Sequence, residues 1–206
     1  MTAIDNAFSI VHDTQTIYRL LLNLTARPGE VGQIAASADR IGLLPGAGNT
    51  ALALAFTFLD SEVGYFVDLE PVPELSGIIR LRTLSRPVAG DAADYIFADG
   101  GKAPGYWASS VRRGTLSEPE MGATVLLLVD SLETELASER ENTVRLTLSG
   151  PGIKDECHLQ VGGFDLGWLS IRENWNEEYP MGVDLILFTP DGKLAALPRT
   201  TQARGV

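Results

Sequence analysis

The feature that most constrains the fold is a short apolar run near the carboxyl end of the chain, followed at once by a turn signal. Val183 to Thr189 reads VDLILFT, an almost continuous apolar stretch in which Asp184 is the one charged residue. A run of this length is too short for a membrane span and is typical of a strand buried on both faces. Pro190-Asp191-Gly192 then favours a hairpin loop, because proline presets φ and glycine adopts positive φ without strain. Leu194 to Leu197 is therefore predicted as the return strand.

The segment after this hairpin carries the first candidate functional residues. Pro198 has no backbone N–H with which to continue a ladder, so the chain is predicted to leave the sheet at its edge. The residues that follow are Arg199, Thr200 and Thr201, which place one guanidinium and two hydroxyls close together. An arginine can hold a phosphate or a carboxylate through two parallel hydrogen bonds. Two interpretations stay open for these residues, an anion contact and a contact with another subunit.

Helical and strand patterns alternate along the rest of the chain. Apolar residues at helical spacing predict a first helix with Asp13 as its N-cap that ends at Arg27-Pro28-Gly29, and a second helix that begins near Asn49. Further helices are predicted at 75–84, 107–113 and 164–175, and strands at 63–68, 95–98, 124–129, 143–148 and 158–161. This order predicts an α/β fold whose mixed sheet is covered on both faces, largely parallel but with an antiparallel last hairpin.

Composition narrows the class of protein. The 206 residues include 45% hydrophobic residues and no linker-like stretch, which predicts a single α/β domain over 1–206. A formal net charge of −11 opposes non-specific binding to nucleic acid or to an anionic membrane. The one cysteine, Cys157, cannot form an internal disulfide, and acids near the N-terminus stand where a signal peptide needs a basic region. We therefore expect a cytoplasmic protein.

Four segments, in this order, resemble one protein family. They are LLLNLTARPG at 20–29, GATVLLLVDSL at 122–132, LSGPGI at 148–153 and the closing YPMGVDLILFTPDGKLAALPRTT at 179–201. Together they are similar to the H subunit of the bacterial carbon-phosphorus lyase system, the PhnH family. The resemblance runs from about Phe8 to Thr201, although residues 46–114 match only in the order of helical and strand patterns.

The resemblance implies a fold, a function and partners. The implied fold is a three-layer α/β/α sandwich with a mixed sheet, similar to the pyridoxal-phosphate-dependent transferase fold but without the cofactor, in a homodimer. The implied function is that of an accessory or structural subunit of the carbon-phosphorus lyase core complex, which works with the G, I and J subunits in organophosphonate catabolism. In the family, that assembly uses ATP to convert an alkylphosphonate into a ribose 1-phosphonate triphosphate intermediate. The resemblance assigns no catalytic residue to this chain.

Other side chains are candidates for an anion or an interface. Arg27 ends the first helix, and Arg19 lies two turns earlier on it. Each arginine is a candidate anion contact, but we favour a structural interpretation in which Arg27 complements the helix terminus and Arg19 pairs with a surface acid or with another subunit. Whichever of Trp168, Trp175 and Tyr179 is exposed is a candidate interface anchor.

Two glycine loops give an alternative hypothesis, an independent nucleotide- or phosphonate-binding protein. Gly46 and Gly48 open a helix, and Asp68 ends a strand 20 residues after Gly48, which mimics a dinucleotide-binding fingerprint. The preceding segment, 38–45, is a poor buried strand, so we favour a loop and a helix cap. Gly150 to Gly152 could present backbone donors to an anion, but its central proline removes one of them and a plain turn is favoured.

We expect neither a cofactor nor a metal. A pyridoxal phosphate enzyme needs a lysine in a buried pocket to form a Schiff base, and Lys102, Lys154 and Lys193 have no clear context of that kind. Cys157 and His158 are adjacent rather than spaced for a metal ion.

Overall fold

The computed structural model of the protein describes residues 7–134 and 142–205. In that part of the chain there are five α-helices: α1 (His12–Ala26), α2 (Ala35–Ala38), α3 (Ala47–Phe58), α4 (Leu75–Thr83) and α5 (Gly167–Trp175). The strands are β1 (Gly32–Gln33), β2 (Gly64–Asp68), β3 (Arg86–Pro87), β4 (Tyr95–Asp99), β5 (Thr124–Leu128), β6 (Ser131–Glu133), β7 (Thr143–Ser149), β8 (Cys157–Gly162), β9 (Asp184–Phe188), β10 (Lys193–Leu197) and β11 (Gln202–Gly205). Short 3-10 helices span Tyr106–Ser110 and Pro119–Met121.

A seven-stranded sheet forms the centre of the fold, in the order β1-β10-β9-β5-β4-β2-β3. Strands β9, β5, β4, β2 and β3 run parallel to their neighbours, and β10 and β1 are antiparallel additions. The predicted hairpin is present, with Gly192 at φ 81° in its turn. The prediction of a mixed, mostly parallel sheet with an antiparallel last hairpin is therefore confirmed.

The middle strands of this sheet are apolar throughout because both of their faces are buried. Leu126 of β5 and Phe188 of β9 pack in one hydrophobic core with α1, α3 and α4. Their neighbours Leu127 and Leu187 point to the opposite face and pack in a second core. Successive side chains of a strand alternate between faces, so two cores require two sets of apolar residues. This accounts for the unbroken run that the sequence shows at 183–189.

Helix α1 begins differently from the sequence prediction. Asp13 is not its N-cap but lies in the first turn, where its carboxylate accepts a hydrogen bond from the N–H of Ser9 at 2.7 Å. The hydroxyl of Ser9 in return accepts from the N–H of His12 at 3.2 Å. Ser9 thus accepts from the first N–H of the helix, that of His12, and Asp13 holds Ser9 in place.

The other face of the large sheet is covered by a second sheet, which the sequence reasoning missed. Its four strands are antiparallel, in the order β11-β7-β8-β6, and share their core with α5 and the first 3-10 helix. Trp107, Trp168 and Trp175 meet there, with ring centroids 5.9 and 6.3 Å apart. The prediction of a helical layer on each face is thus correct for one face and has to be corrected for the other, where a sheet supplies much of the cover.

The chain passes from the large sheet to the second sheet directly after β10. Strand β1 pairs only with Leu194 and Lys193, so β10 is at the sheet edge when it reaches Leu197, as the position of Pro198 predicts. Residues 199–201 then cross to β11, which pairs with β7 through Gln202 and Ser149. The exit segment, residues 198–205, therefore joins the two sheets. Within the described ranges, no helix has the length and apolar character needed to span a membrane.

Candidate functional site

A groove runs between α5 and the exit segment. It encloses about 1020 Å³ and is lined by α5, the loop at 176–181, and residues 199–205. We call it the exit groove. Its charged side chains are Arg172, Arg199 and Arg204 against Glu173 and Glu177. Because Arg199 is paired with Asp184, the charges left in the lining are two arginines and two glutamates, which balance formally.

Arg199 is held inside the protein rather than offered to a ligand. Its Nη2 lies 2.7 Å from Oδ2 of Asp184, and its backbone N–H donates to the same carboxylate. Its Nη1 donates to the carbonyls of Pro119 at 2.8 Å and Pro180 at 3.3 Å. The guanidinium thus ties β9, the second 3-10 helix and the loop before β9 together. This geometry also explains why the apolar run at 183–189 contains one acid, since Asp184 is the partner of Arg199.

Thr200 and Thr201 lie in the exit groove, but they face different surroundings. Thr201 is only 2% exposed, and its N–H donates to the carbonyl of Pro198 at 2.9 Å. Its hydroxyl is buried and has no hydrogen-bond partner among the described residues. Thr200 is half-buried, and its carbonyl lies against the backbone of Gly150. Of the three predicted exit residues, Thr201 is the one with a buried side-chain polar atom that lacks a partner among the described residues.

Arg172 is the functional candidate that the sequence reasoning missed. It is 5% exposed, and its Nη2 donates to the carbonyl of Pro198, the same oxygen that accepts from Thr201. Its Nε has no partner, and no carboxylate of the described residues lies within ion-pair distance. Burial lowers the pKa of Arg172 to about 10, while the charge of Asp184 acts in the opposite direction. A signal was present, because position 172 lies four residues after Trp168 and three before Trp175 on the buried stripe of α5.

Asn176 completes this group one turn after Arg172. Its Oδ1 accepts from the N–H of Val183 at 2.8 Å, which anchors the loop before β9. Its Nδ2 is buried without a partner in the described part of the chain. Arg172, Asn176 and Thr201 thus each have a buried donor without a partner among the described residues, and other parts of all three residues line the exit groove.

The other two predicted arginines lie on α1 and do not line the exit groove. Arg19 is exposed. Arg27 follows the last residue of α1, where its N–H donates to the carbonyl of Asn23, and its exposed side chain approaches Glu30 at 3.9 Å. Among the proposed interface anchors, Trp168 and Trp175 are buried and Tyr179 is 74% exposed at the groove.

The glycine loops are accounted for by turns and packing. No strand precedes Gly46, since residues 39–46 form turns after α2, so the strand-to-helix turn of a dinucleotide site is not formed. A Cβ on Gly48 would lie 2.5 Å from that of Leu44, and one on Gly152 would lie 2.2 Å from the carbonyl oxygen of Ala26. Both loops therefore need glycine for close packing.

Asp68 lies at the carboxyl ends of β2 and β4, beside a cavity of about 50 Å³. Its carboxylate accepts a hydrogen bond from the indole N–H of Trp107 at 2.7 Å. Lys102 lines the same cavity and pairs with Glu70, and that hydrogen bond raises the pKa of the lysine. A lysine held in its charged form is not prepared to act as a nucleophile.

The remaining titratable candidates show no arrangement for metal or thiol chemistry. No group of three metal-ligating side chains occurs within residues 7–134 and 142–205. The Sγ of Cys157 donates to the carbonyl of Pro28 at 3.4 Å, and burial raises the pKa of this thiol. A raised thiol pKa lowers the reactive thiolate fraction.

Comparisons with known proteins point to one family. A family model described as bacterial phosphonate metabolism protein (PhnH) matches residues 7–204. A putative C-P lyase subunit protein HtxG from Stutzerimonas stutzeri is 35% identical over 187 residues, which cover 91% of this chain and 84% of that protein. The subunit PhnH of alpha-D-ribose 1-methylphosphonate 5-triphosphate synthase from Rhizobium meliloti (strain 1021) is 25% identical over 199 residues, or 93% and 90% of the two chains. The chain belongs to the PhnH family.

Proposed function

From this membership we propose that the protein is an accessory or structural subunit of the carbon-phosphorus lyase core complex in organophosphonate catabolism. The observation that carries the proposal is the family match over residues 7–204, which includes both sheets and the exit groove. The names of the two relatives, a C-P lyase subunit and a synthase subunit, support it. A subunit of this kind supports a reaction without performing it alone.

The proposal extends to partners and chemistry. The protein forms a homodimer in the cytoplasm and assembles with the G, I and J subunits. The assembly converts an alkylphosphonate, with ATP, into the ribose 1-phosphonate triphosphate intermediate. The chain acts as one domain, which is supported by the core that its two sheets share through β5, β9 and β10. Its fold is of the pyridoxal-phosphate-dependent transferase type without that cofactor, as the family resemblance implies.

The structural use of its polar residues supports an accessory role. The guanidinium of Arg199 donates to Asp184 and to two backbone carbonyls, and Lys193 pairs with Glu133 at 2.7 Å. The alternative of an independent nucleotide- or phosphonate-binding protein that uses the loops at 46–48 or 150–152 stays a prediction, and the packing of both loops does not favour it. The exposed aromatic ring of Tyr179 favours a protein contact at the groove rim.

Co-purification tests the proposal. A tagged chain is co-expressed with the G, I and J subunits of the same bacterium, and the eluate is analysed by size-exclusion chromatography with light scattering. We expect one assembly that contains all four subunits. Elution of the tagged chain alone, with the other three forming their own complex, would contradict the proposal.

A pair of tyrosine variants locates the contact. Tyr179→Ser removes the exposed ring at the groove, and Tyr106→Ser removes a ring that is 93% exposed elsewhere. We expect co-elution to weaken about tenfold or more for Tyr179→Ser, as for an aromatic anchor, and to stay unchanged for Tyr106→Ser. Equal behaviour of the two variants would show that Tyr179 is not an anchor.

A further inference from the structure

Unused hydrogen-bond donors are concentrated at one place in this protein. Within the described residues, four buried side-chain polar atoms have no partner: Nε of Arg145, Nε of Arg172, Nδ2 of Asn176 and Oγ1 of Thr201. The last three belong to residues that line the exit groove. A buried polar group without a partner is destabilising and rare in folded proteins, so three in residues of one groove indicate that an acceptor is expected there.

The three residues are neighbours in space. Arg172 and the backbone of Thr201 share one acceptor, the carbonyl of Pro198. Asn176 lies one helical turn after Arg172. A Cβ added to Gly182 would lie 2.3 Å from Oδ1 of Asn176 and 3.1 Å from Cβ of Arg199, so Asn176 and Arg199 both pack against Gly182. Arg199 is two residues before Thr201, so the three residues lie in the same part of the exit groove, near the start of the exit segment.

The chemistry of these groups selects the ligand class. A guanidinium and the amide nitrogen of Asn176 are donors, and a threonine hydroxyl is a donor as well as an acceptor. Arg172 is buried and charged, and no carboxylate of the described residues pairs with it. A water molecule would supply an acceptor but not the compensating charge, whereas an oxyanion supplies both.

We propose that the exit groove binds a small oxyanion, a phosphate, phosphonate or carboxylate group, through Arg172, Asn176 and Thr201. The lowered pKa of Arg172 supports this, because it reflects burial that nearby charge does not offset. Glu173 and Glu177 line the groove and are exposed, so they weaken the attraction at the rim and favour a ligand small enough to reach the buried donors.

Binding is tested on the purified full chain with inorganic phosphate, methylphosphonate and acetate as probes, with chloride at equal ionic strength as the reference. The readouts are calorimetry and the NMR signal of the Arg172 Nε–H, which Arg172→Lys identifies by its loss. We expect at least one oxyanion to bind and to shift that signal. If none of the three binds more tightly than chloride, the proposal is overturned; the relative affinities of the three probes identify the preferred group.

Matched variants test the site itself. Asn176→Asp keeps an oxygen to accept from Val183 but replaces the unused donor with a negative charge, whereas Asn174→Asp introduces the same charge at an exposed position of the same groove. We expect Asn176→Asp to abolish binding and Asn174→Asp to weaken it less than about threefold, because exposed charges act weakly. Equal losses would overturn the assignment.

Thr201→Val removes the unused hydroxyl at nearly constant shape. Because the hydroxyl has no partner among the described residues, this variant is expected to fold normally. Oxyanion affinity is expected to fall about tenfold through the loss of one hydrogen bond to a charged group. Unchanged affinity in this variant would remove Thr201 from the site, and the proposal as stated would fail.

Discussion

The two faces of the central sheet differ in whether their buried polar groups have hydrogen-bond partners. On the face covered by α1, α3 and α4, the polar groups described there have partners. The Oδ1 of Asn49 accepts from the N–H groups of Leu43 and Leu44, and the hydroxyl of Tyr65 donates to the carbonyl of Ser76 at 2.7 Å. These contacts fix a turn before α3 and the start of α4 on the sheet.

On the opposite face, where α5 meets the exit segment, three donors are left over. Arg172, Asn176 and Thr201 each use one polar atom to hold the backbone and leave another without a partner in the described chain. The difference shows on which face folding alone supplies hydrogen-bond partners. The helical face satisfies its own polar groups, whereas the exit groove is complete only with a ligand.

The largest expected effects on stability are similar on the two faces. Phe188 packs on the helical face and Leu187 on the opposite face, and both are fully buried. We expect Phe188→Ala and Leu187→Ala each to lower the free energy of unfolding by about 3–5 kcal/mol, through lost burial and a cavity. Urea denaturation measures both values. A cost below about 1 kcal/mol for Leu187→Ala would mean that the second sheet does not pack firmly on the first.

The next effect concerns the clamp at the junction of the sheets. Arg199→Ala leaves Oδ2 of Asp184 and two carbonyls without the guanidinium donors, so the free energy of unfolding is expected to fall by about 2–4 kcal/mol. Arg19→Ala is the matched control, because the same change at an exposed site costs less than about 0.5 kcal/mol. Similar values for the two variants would contradict the clamp.

A smaller and pH-dependent effect is expected for Asp13 on the helical face. Burial alone raises the pKa of Asp13, but hydrogen bonds from Ser9 and Ser37 and the nearby Arg40 outweigh it and lower the pKa below its usual value. A lowered pKa stabilises the fold above the unfolded value, near pH 4, and this stabilisation is lost as the pH falls through the folded value. Asp13→Asn is therefore expected to cost about 1–2 kcal/mol at pH 7.

The same variant supplies its own check. The difference in thermal stability between wild type and Asp13→Asn is expected to shrink as the pH falls below about 4, where the carboxylate becomes protonated. A difference that stays constant from neutral to acid pH would show that the charge of Asp13 does not contribute.

The smallest expected effect is on the groove face. Thr201→Val, measured without an oxyanion, is expected to change the free energy of unfolding by less than about 0.5 kcal/mol or to raise it, since the hydroxyl has no partner to lose. A cost above about 1 kcal/mol would contradict this account, because it would mean that the hydroxyl is satisfied within the folded chain. Together with Asp13→Asn, this variant measures the difference between the two faces.

Much of the central sheet could be predicted from the sequence because its signals are local. The run at 183–189, the turn at Gly192 and the helical stripe of α1 each specify their element within a few residues. Short strands carry no such signal: β1 has two residues and β11 has four, and both exist only through partners far along the chain. The strands at 143–148 and 158–161 were predicted, but not their pairing with β6 and β11 in a separate antiparallel sheet, so the second sheet and the true path of the exit segment were missed.

The candidate site was predictable only in part. The position of Thr201 in the segment that leaves the sheet after Pro198 was predictable, and its role as a site residue stays a prediction. Arg199 was a candidate for an anion, a subunit or an acidic side chain, and the structure pairs it with Asp184. Whether a guanidinium is free depends on which acceptors the fold brings near it, and the sequence does not state this. Arg172 was missed although its place on the stripe of Trp168 and Trp175 marks it as buried.

Growth on a phosphonate tests the central claim most directly. A strain of the source bacterium that lacks this gene is grown with methylphosphonate as the sole phosphorus source, and inorganic phosphate serves as the control. If the chain is a subunit of the carbon-phosphorus lyase complex, the strain grows on phosphate alone, and the wild-type gene restores growth on methylphosphonate. Undiminished growth of the deleted strain on methylphosphonate would contradict the account.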